Sequence, residues 1–372
     1  MRDVVIVGGS LAGGAAAVRL AREGLTPLLL EREREPRDKM CGEFLSVEAL
    51  AYLKDLGLDP LALGGVNVDK VRFVIGAQVI EARLPFKGVG LRRRTLDAAL
   101  LDHARALGAK VERGVSVRGI RGDALETSQG NLTNQTILLA SGKHEVKGAK
   151  RDTSGALRGM IGFKTYYKVT PDQAAELDGY AEVILFDGGY AGFMPIDGGV
   201  VNLCLLVGRE RFEEVGGRWS ALLEALLREP HMARRLEGGE AQNERPLTIF
   251  DVPYGFIHQS PSGDCPHLFR MGDQAAVIPS YAGDGMAIAL HSSQLAVQAV
   301  LAGGDAGAYH RRLRADVTRQ VKLATWLQKM ADTPLGRNAI FAGLGVAPQI
   351  VSLIASMTRI PQPALRRAGL GV

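Results

Sequence analysis

The stretch Asp3–Glu33, "DVVIVGGSLAGGAAAVRLAREGLTPLLLERE", decides the fold. Four apolar residues, Val4–Val7, run into a glycine turn, a small-residue segment continues to Gly24, and a second apolar run, Pro27–Glu31, ends on a carboxylate. Strand, turn, helix and strand make one βαβ unit, with Gly24 where a helix C-terminus wants a left-handed residue. The turn reads Gly8-Gly9-Ser10-Leu11-Ala12-Gly13. Gly8 permits the tight turn and Gly13 lets the helix pack closely on the strand, so the free N–H groups of the helix start face a pyrophosphate. Ser10 takes the place of the middle glycine, and Glu31, 18 residues beyond Gly13, stands where a carboxylate binds ribose hydroxyls. A chance turn in another α/β fold is the competing reading; the flanking strand and helix argue against it.

Outward from this unit, Ser46 caps a helix whose apolar residues Val47, Leu50, Leu53 and Leu56 run to Gly57. Two β-like runs between Val71 and Leu84 meet at Gly76, predicting a hairpin that leaves the first domain. A helix carrying Leu96, Leu100, Ala104 and Leu107, a strand at Lys110–Glu112 and a buried strand in 136–143 bring the chain back. From Gly155 to Pro253 strand patterns dominate, with one amphipathic helix at Trp219–Arg228. The chain then returns to strand, loop and long helix before a helical tail. The expectation is an α/β protein, α+β overall. Its doubly wound Rossmann-type domain spans 1–70, 89–154 and 265–302, an inserted antiparallel sheet domain spans 71–88 and 155–264, and a C-terminal helical cover spans 303–372. A length of 372 residues suits that plan.

Composition narrows the class. With 46% hydrophobic and 23% charged residues the chain reads as globular, and 46 glycines point to many tight turns. The net charge of +5 comes from short, scattered clusters, Arg92–Arg94, Arg234–Arg235, Arg311–Arg314 and Arg366–Arg367, without interleaved aromatics, so no nucleic-acid groove is expected. Three cysteines, Cys41, Cys204 and Cys265, show no CxxC spacing; no metal site and no disulfide framework are expected, and a cytoplasmic setting fits. An apolar strand begins at Val4, which leaves the sequons at Asn131 and Asn134 idle. The segment Asn338–Thr358 carries no charge but is interrupted by Gly343, Gly345, Pro348 and Gln349, so it reads as a buried or surface-lying helix pair.

Three further segments carry a resemblance. "RTLD" at Arg94–Asp97, "MGDQAAVIPSYAGDGMAIAL" at 271–290 and "MCGEF" around Cys41, taken in order with the opening turn, resemble the FAD-dependent family of para-hydroxybenzoate hydroxylase-type monooxygenases, flavin halogenases and geranylgeranyl reductases. The resemblance runs from Val4 to about Val300. It implies a bound FAD, with NADPH or NADH as a transient reductant that has no glycine fingerprint of its own. It places Arg94 near the dinucleotide phosphates, Asp273 on ribityl or ribose hydroxyls, and Gly283, Gly285 and Met286 in a second glycine turn facing the pyrimidine side of the flavin. Arg94 reads equally well as one of three surface arginines. Met40 and Cys41 lie in the loop that passes the isoalloxazine. Cys41 is either a reactive thiol or a small residue packed where Gly42 lets the chain approach the ring.

The sheet-domain segment "GGYAGFMPIDGGVVNLCL" resembles the motif that geranylgeranyl reductases write Y-x-W-x-F-P and halogenases W-x-W-x-I-P. Tyr190, Gly192, Met194 and Pro195 hold that spacing, and Gly192 stands where both relatives place tryptophan. Tyr190, Phe193, Met194, Pro195 and Tyr281 are candidate substrate contacts, or strand residues packing the sheet. Lys164 is a candidate polar substrate contact or an outward strand lysine. His291 and Tyr281 flank the glycine turn as candidate proton carriers or packing groups. The resemblance implies an NAD(P)H-driven monooxygenase that hydroxylates a hydrophobic aromatic or polyketide-like substrate with molecular oxygen through a flavin C4a-hydroperoxide. The alternatives are a geranylgeranyl reductase-like enzyme acting on isoprenoid or lipid double bonds, with Cys41, Tyr190 or water as proton donor, then a halogenase or a flavin-binding module without turnover. The uncharged tail suits a small hydrophobic substrate and is compatible with peripheral membrane contact.

Overall fold

The computed structural model describes residues 3–133, 135–260, 265–347 and 349–371. Asn134 of the second sequon and Pro348 of the uncharged tail lie outside them. A parallel sheet runs in the order Leu268–Arg270, Gln135–Leu139, Asp3–Val7, Leu28–Glu31, Lys110–Arg113. The opening strand sits at its centre, paired in parallel with both neighbours. Parallel strands need crossovers on the sheet faces. The helix Leu11–Arg22 makes the first, buried along nearly its whole length because its alanines and glycines let it lie against the helices Arg93–Ala106 and Gly285–Leu301. This Rossmann-type parallel sheet is the one the opening stretch leads one to expect, with helices on the face of Val4 and Ile6 and, on the face of Val5 and Val7, residues Ile120 and Leu125 of a short sheet.

The second layer is a nine-stranded sheet, ordered Glu240–Ala241, Met160–Lys168, Val200–Gly208, Gly189–Asp197, Gly179–Phe186, Val66–Ile75, Gln78–Gly90, Phe44–Leu45, with Leu247–Phe250 also on Met160–Lys168. It is antiparallel except where Gly179–Phe186 pairs with Val66–Ile75. One face buries Phe163, Ile184, Phe193, Leu203 and Leu205 under the helices Trp219–Leu226 and Pro230–Leu236. The other face turns toward the parallel-sheet layer. The hairpin begins at Val66 and ends at Gly90, longer than the alternation from Val71 to Leu84 predicts, because its ends run on past the recognisable apolar residues to pair with each other.

A three-stranded sheet, Val117–Arg121, Ala124–Thr127 and Gly130–Leu132, was not expected; strands of three to five residues leave too short a pattern to read. The C-terminal part is helical: Ala306–Ala331, Pro334–Val346, Gln349–Met357 and Gln362–Arg367. The long helix packs on Gly285–Leu301, and Gln349–Met357 lies across the hairpin strand Gln78–Gly90.

Candidate functional site

The glycine turn is built by exclusion. Gly8 has φ 104°, and a Cβ there would lie 2.4 Å from the Ala140 carbonyl oxygen. At Gly13 it would lie 1.9 Å from the Gly8 oxygen, so any side chain would push the helix off the strand. Glu31, at the end of its strand, accepts from Gly9 N–H at 2.7 Å and from Glu33 N–H at 2.9 Å, which braces the turn from below. Ser10 is the N-cap, yet its hydroxyl makes no capping bond. It donates instead to Asp97 Oδ2 at 2.6 Å and accepts from Arg93 Nη2 at 2.5 Å. The first-turn N–H groups thus keep no intrahelical partner, and Ser10, Leu11 and Ala12 line a cavity of about 200 Å³.

Arg94 does not reach this cavity. It is exposed on the helix Arg93–Ala106, and its neighbour Arg93, about 100° around that helix, points inward to Ser10 and Asp97. Burial works against the Arg93 charge, but Asp97 and the nearby Cys41 more than offset it and hold the guanidinium protonated. Across the cavity Asp273 faces Lys143 at 3.4 Å, and Arg151 donates to the Asp273 carbonyl at 2.7 Å. Met40, Gly283, Gly285 and Met286 also line it. Gly8, Gly13 and Glu31 shape the turn behind the wall.

The loop at Cys41 closes one side. Cys41 lines the cavity; its sulfur accepts from Glu43 N–H at 3.3 Å and its carbonyl from Asn202 Nδ2 at 3.0 Å. Glu43 adopts φ 65°, a left-handed conformation uncommon outside glycine. Lys164 explains how it is held. Lys164 is neither an outward strand lysine nor a cavity residue: its ammonium lies 2.8 Å from Glu43 Oε1, both side chains fully buried, and donates to the Lys39 carbonyl at 2.9 Å. Tyr166 Oη and Arg93 N–H complete the shell of Glu43 Oε1 at 2.9 and 2.8 Å.

A second, apolar cavity of about 250 Å³ adjoins the first. Gly42, Phe44, Cys204, Leu206, Ser280 and Gly283 line both. Tyr190, Gly192, Phe193 and Met194 all line the apolar one, and strand alternation turns the Phe193 side chain into the core behind the sheet with Ala191 and Leu203. Pro195 is outside both cavities, its carbonyl pressed against Gly90. Tyr281 lines the apolar cavity, but its hydroxyl is spent on the Ala324 carbonyl at 2.5 Å, so it serves as wall. His291 is buried between Tyr52 Oη at 2.6 Å and Asp316 Oδ2 at 3.1 Å, away from both cavities.

Three hydroxyls connect the two spaces. Tyr254 lines the first cavity, Tyr190 the second, and Ser280 both. Ser280 Oγ hydrogen-bonds to Tyr190 Oη and, at 3.3 Å, to Tyr254 Oη. Burial raises both phenols above their ordinary range, which keeps them protonated, and pushes the Cys204 thiol up to about 11, which keeps it neutral. The helices Pro334–Val346 and Gln349–Met357 roof the apolar cavity with Phe341, Leu344, Val351 and Ile354. Their other face exposes Leu335, Val346, Ile350, Leu353 and Met357. Among the described residues no single helix is long and apolar enough to cross a membrane.

A helix start with free N–H groups, an inward arginine, a carboxylate over the far end and a tightly packed glycine turn fit a dinucleotide; an apolar chamber sharing its wall places a second reactant beside it. These features together fit a dinucleotide-binding protein with an apolar chamber beside the nucleotide cavity. A family model described as an FAD binding domain matches residues 1–136. Among curated proteins, the menaquinone reductase of Mycolicibacterium smegmatis is 26% identical over 323 residues, covering 81% of this chain and 77% of its own length. The chloroplastic geranylgeranyl diphosphate reductase of Nicotiana tabacum is 24% identical, covering 82% of this chain and 67% of its own. The structure of the flavin-dependent brominase Bmp2 superposes with a TM-score of 0.74 at 19% identity, covering 96% of this chain and 93% of the brominase. The chain is an FAD-dependent oxidoreductase, similar in sequence to menaquinone and geranylgeranyl diphosphate reductases and in fold to a flavin-dependent halogenase.

Sequence reasoning missed Arg93, Glu43, Lys143, Cys204, Tyr254 and Ser280. Arg93 was findable from its i,i+4 pairing with Asp97; the others are joined only by the tertiary fold. Two expectations follow. Arg93→Ala and Asp273→Ala should each weaken FAD binding about tenfold or more, with Arg94→Ala unchanged, in fluorescence titrations of apoprotein. Lys164→Ala strands a buried carboxylate and should cost about 3–5 kcal/mol of stability in urea unfolding.

Proposed function

We propose that the protein is an FAD-dependent reductase of carbon–carbon double bonds in a long apolar, isoprenoid-type substrate, with NADPH or NADH as the transient reductant. The observation that carries this is the apolar cavity, walled by Val71, Phe73, Leu84, Val183 and Leu185 and continuous with the FAD cavity across Cys204 and Ser280. The curated relatives named menaquinone reductase and geranylgeranyl diphosphate reductase, aligned over four-fifths of the chain, support the same reading.

Ser10, Leu11 and Ala12 with Arg93 would hold the FAD diphosphate, Asp273 its hydroxyls, and Cys41 and Gly283 the ring; bound FAD supplies hydride to one carbon of the double bond. Tyr190 holds the proton for the other carbon. Its phenol stays neutral through burial, so it is available as a donor at neutral pH. Ser280 links Tyr190 to Tyr254 on the first cavity, so the proton that Tyr190 gives up is replaced through Ser280 and Tyr254 from water on that side, without opening the apolar chamber. Cys41, whose sulfur already accepts from Glu43 N–H, acts as a polarisable wall.

Hydroxylation of an apolar aromatic substrate with molecular oxygen is the second reading, favoured by Gly192, which puts no side chain into the apolar cavity where the halogenase and geranylgeranyl reductase motifs carry tryptophan. Anaerobic mixing of reduced enzyme with an isoprenoid alkene separates the two. Reoxidation of the flavin without oxygen supports reduction; reoxidation only in air, with labelled oxygen appearing in an aromatic product, supports hydroxylation. Under the reductase reading, Tyr190→Phe lowers kcat by about 100-fold or more, with KM and FAD content unchanged. Full retained turnover would remove Tyr190 from the mechanism.

The exposed apolar face of the two roof helices, flanked by the exposed Lys322 and Lys329, belongs to the same proposal as a peripheral membrane contact. The protein should co-sediment with vesicles containing anionic phospholipid, and Leu353→Glu with Val346→Glu should reduce the bound fraction severalfold. Equal sedimentation of the double variant contradicts that contact.

A further inference from the structure

Gly192 sits at the centre of the apolar wall. Cross-strand register sets Phe73, Val183, Gly192, Cys204 and Lys164 in one row across the large sheet, and Tyr190 and Met194 flank Gly192 along its own strand. Val183, Cys204, Tyr190 and Met194 all line the cavity. Their common neighbour is a hydrogen atom.

Packing does not demand that glycine. Elsewhere in the same sheet glycines stand where a side chain has no room: a Cβ at Gly189 would lie 2.1 Å from the Leu206 oxygen, at Gly90 2.1 Å from the Pro195 oxygen, and at Gly88 2.4 Å from the Phe44 ring. At Gly192 a Cβ would meet only the Cys204 and Glu182 carbonyl oxygens, at 3.6 and 3.7 Å, which is ordinary contact. Nor does the backbone require it, since Gly192 is not among the residues with positive φ. A glycine inside a strand weakens it by about 0.5–1 kcal/mol relative to alanine, and such a position marks a site where another group approaches the backbone. Here the open space over Gly192 is part of the cavity, beside the wall shared with the FAD cavity at Cys204.

We propose that Gly192 is the specificity-determining position of the apolar site: the depression it leaves between Val183, Cys204, Tyr190 and Met194 receives the methyl-branched, planar segment of the substrate. This rests on the reading of the apolar cavity as the substrate site. A linear chain has no branch to fill the depression and gains nothing from it; a branched, planar segment lies flat on the glycine backbone. Filling the depression therefore discriminates between the two kinds of chain.

The test compares farnesol, methyl-branched and unsaturated, with dodecanol, linear and saturated, by calorimetric titration into oxidised holoenzyme. Wild type binds farnesol at least about tenfold more tightly than dodecanol. Gly192→Leu abolishes that preference by weakening farnesol alone, and Gly192→Ala gives an intermediate value, with FAD content and melting temperature matching wild type in both. Equal farnesol affinity in Gly192→Leu and wild type overturns the inference while leaving the substrate-site reading intact, as does a parallel loss for both alcohols. Absence of binding by either alcohol to wild type overturns the substrate-site reading itself, and the inference with it.

Discussion

A buried lysine–carboxylate pair joins the two layers of this protein. Lys164 comes from the large sheet and Glu43 from the loop that follows the second strand of the nucleotide unit, and their contact lies where neither side chain meets solvent. Removing two charges from water is expensive, and mutual attraction offsets that only when the remaining hydrogen-bonding positions are filled. The Lys39 carbonyl completes the lysine's contacts and Tyr166 Oη and Arg93 N–H those of Glu43 Oε1, while Glu43 Oε2 stays buried without a hydrogen-bond partner. The pair also holds Glu43 in its left-handed conformation, which aims the Cys41–Gly42 segment along the wall between the cavities. Local backbone strain of this kind persists where the surroundings over-determine it, and it gathers at functional sites.

From that junction the division of labour follows. The parallel-sheet layer supplies a helix start, an arginine and a carboxylate, groups that suit phosphates and hydroxyls. The antiparallel layer supplies alternating apolar side chains that suit a greasy reactant. Only a few groups reach both, and two of these are neutral: the Ser280 hydroxyl bridges two neutral phenols, and burial keeps the Cys204 thiol protonated as a neutral wall.

How much of this was legible in the sequence depends on the range of the interactions. The opening βαβ unit was readable because its signals are local: Gly8 and Gly13 are required by contacts within a few residues or with the adjacent strand, and Glu31 ends a strand that the apolar run defines. Tyr190, Gly192, Phe193 and Met194, grouped from the sequence motif, all line the apolar cavity, and strand alternation sends the Phe193 side chain to the core face. The motif match placed Arg94 near the phosphates, whereas helical phase turns Arg93 into the cavity that Ser10 lines, an inward face that the i,i+4 pair with Asp97 marks. Lys164 was unreadable, since nothing near it in the chain announces a carboxylate more than a hundred residues earlier. Tyr254 and Ser280 belong to segments whose meeting is set by the packing of the layers alone.

The account depends on the two cavities meeting at the flavin ring. The direct measurement is the visible absorption spectrum of the FAD-loaded protein during titration with an apolar isoprenoid alcohol under air-free conditions. A saturable perturbation of the flavin bands with one-to-one stoichiometry is the predicted result, because the ligand would displace water from a wall the ring shares. Saturable binding that leaves the flavin spectrum unmoved would contradict it.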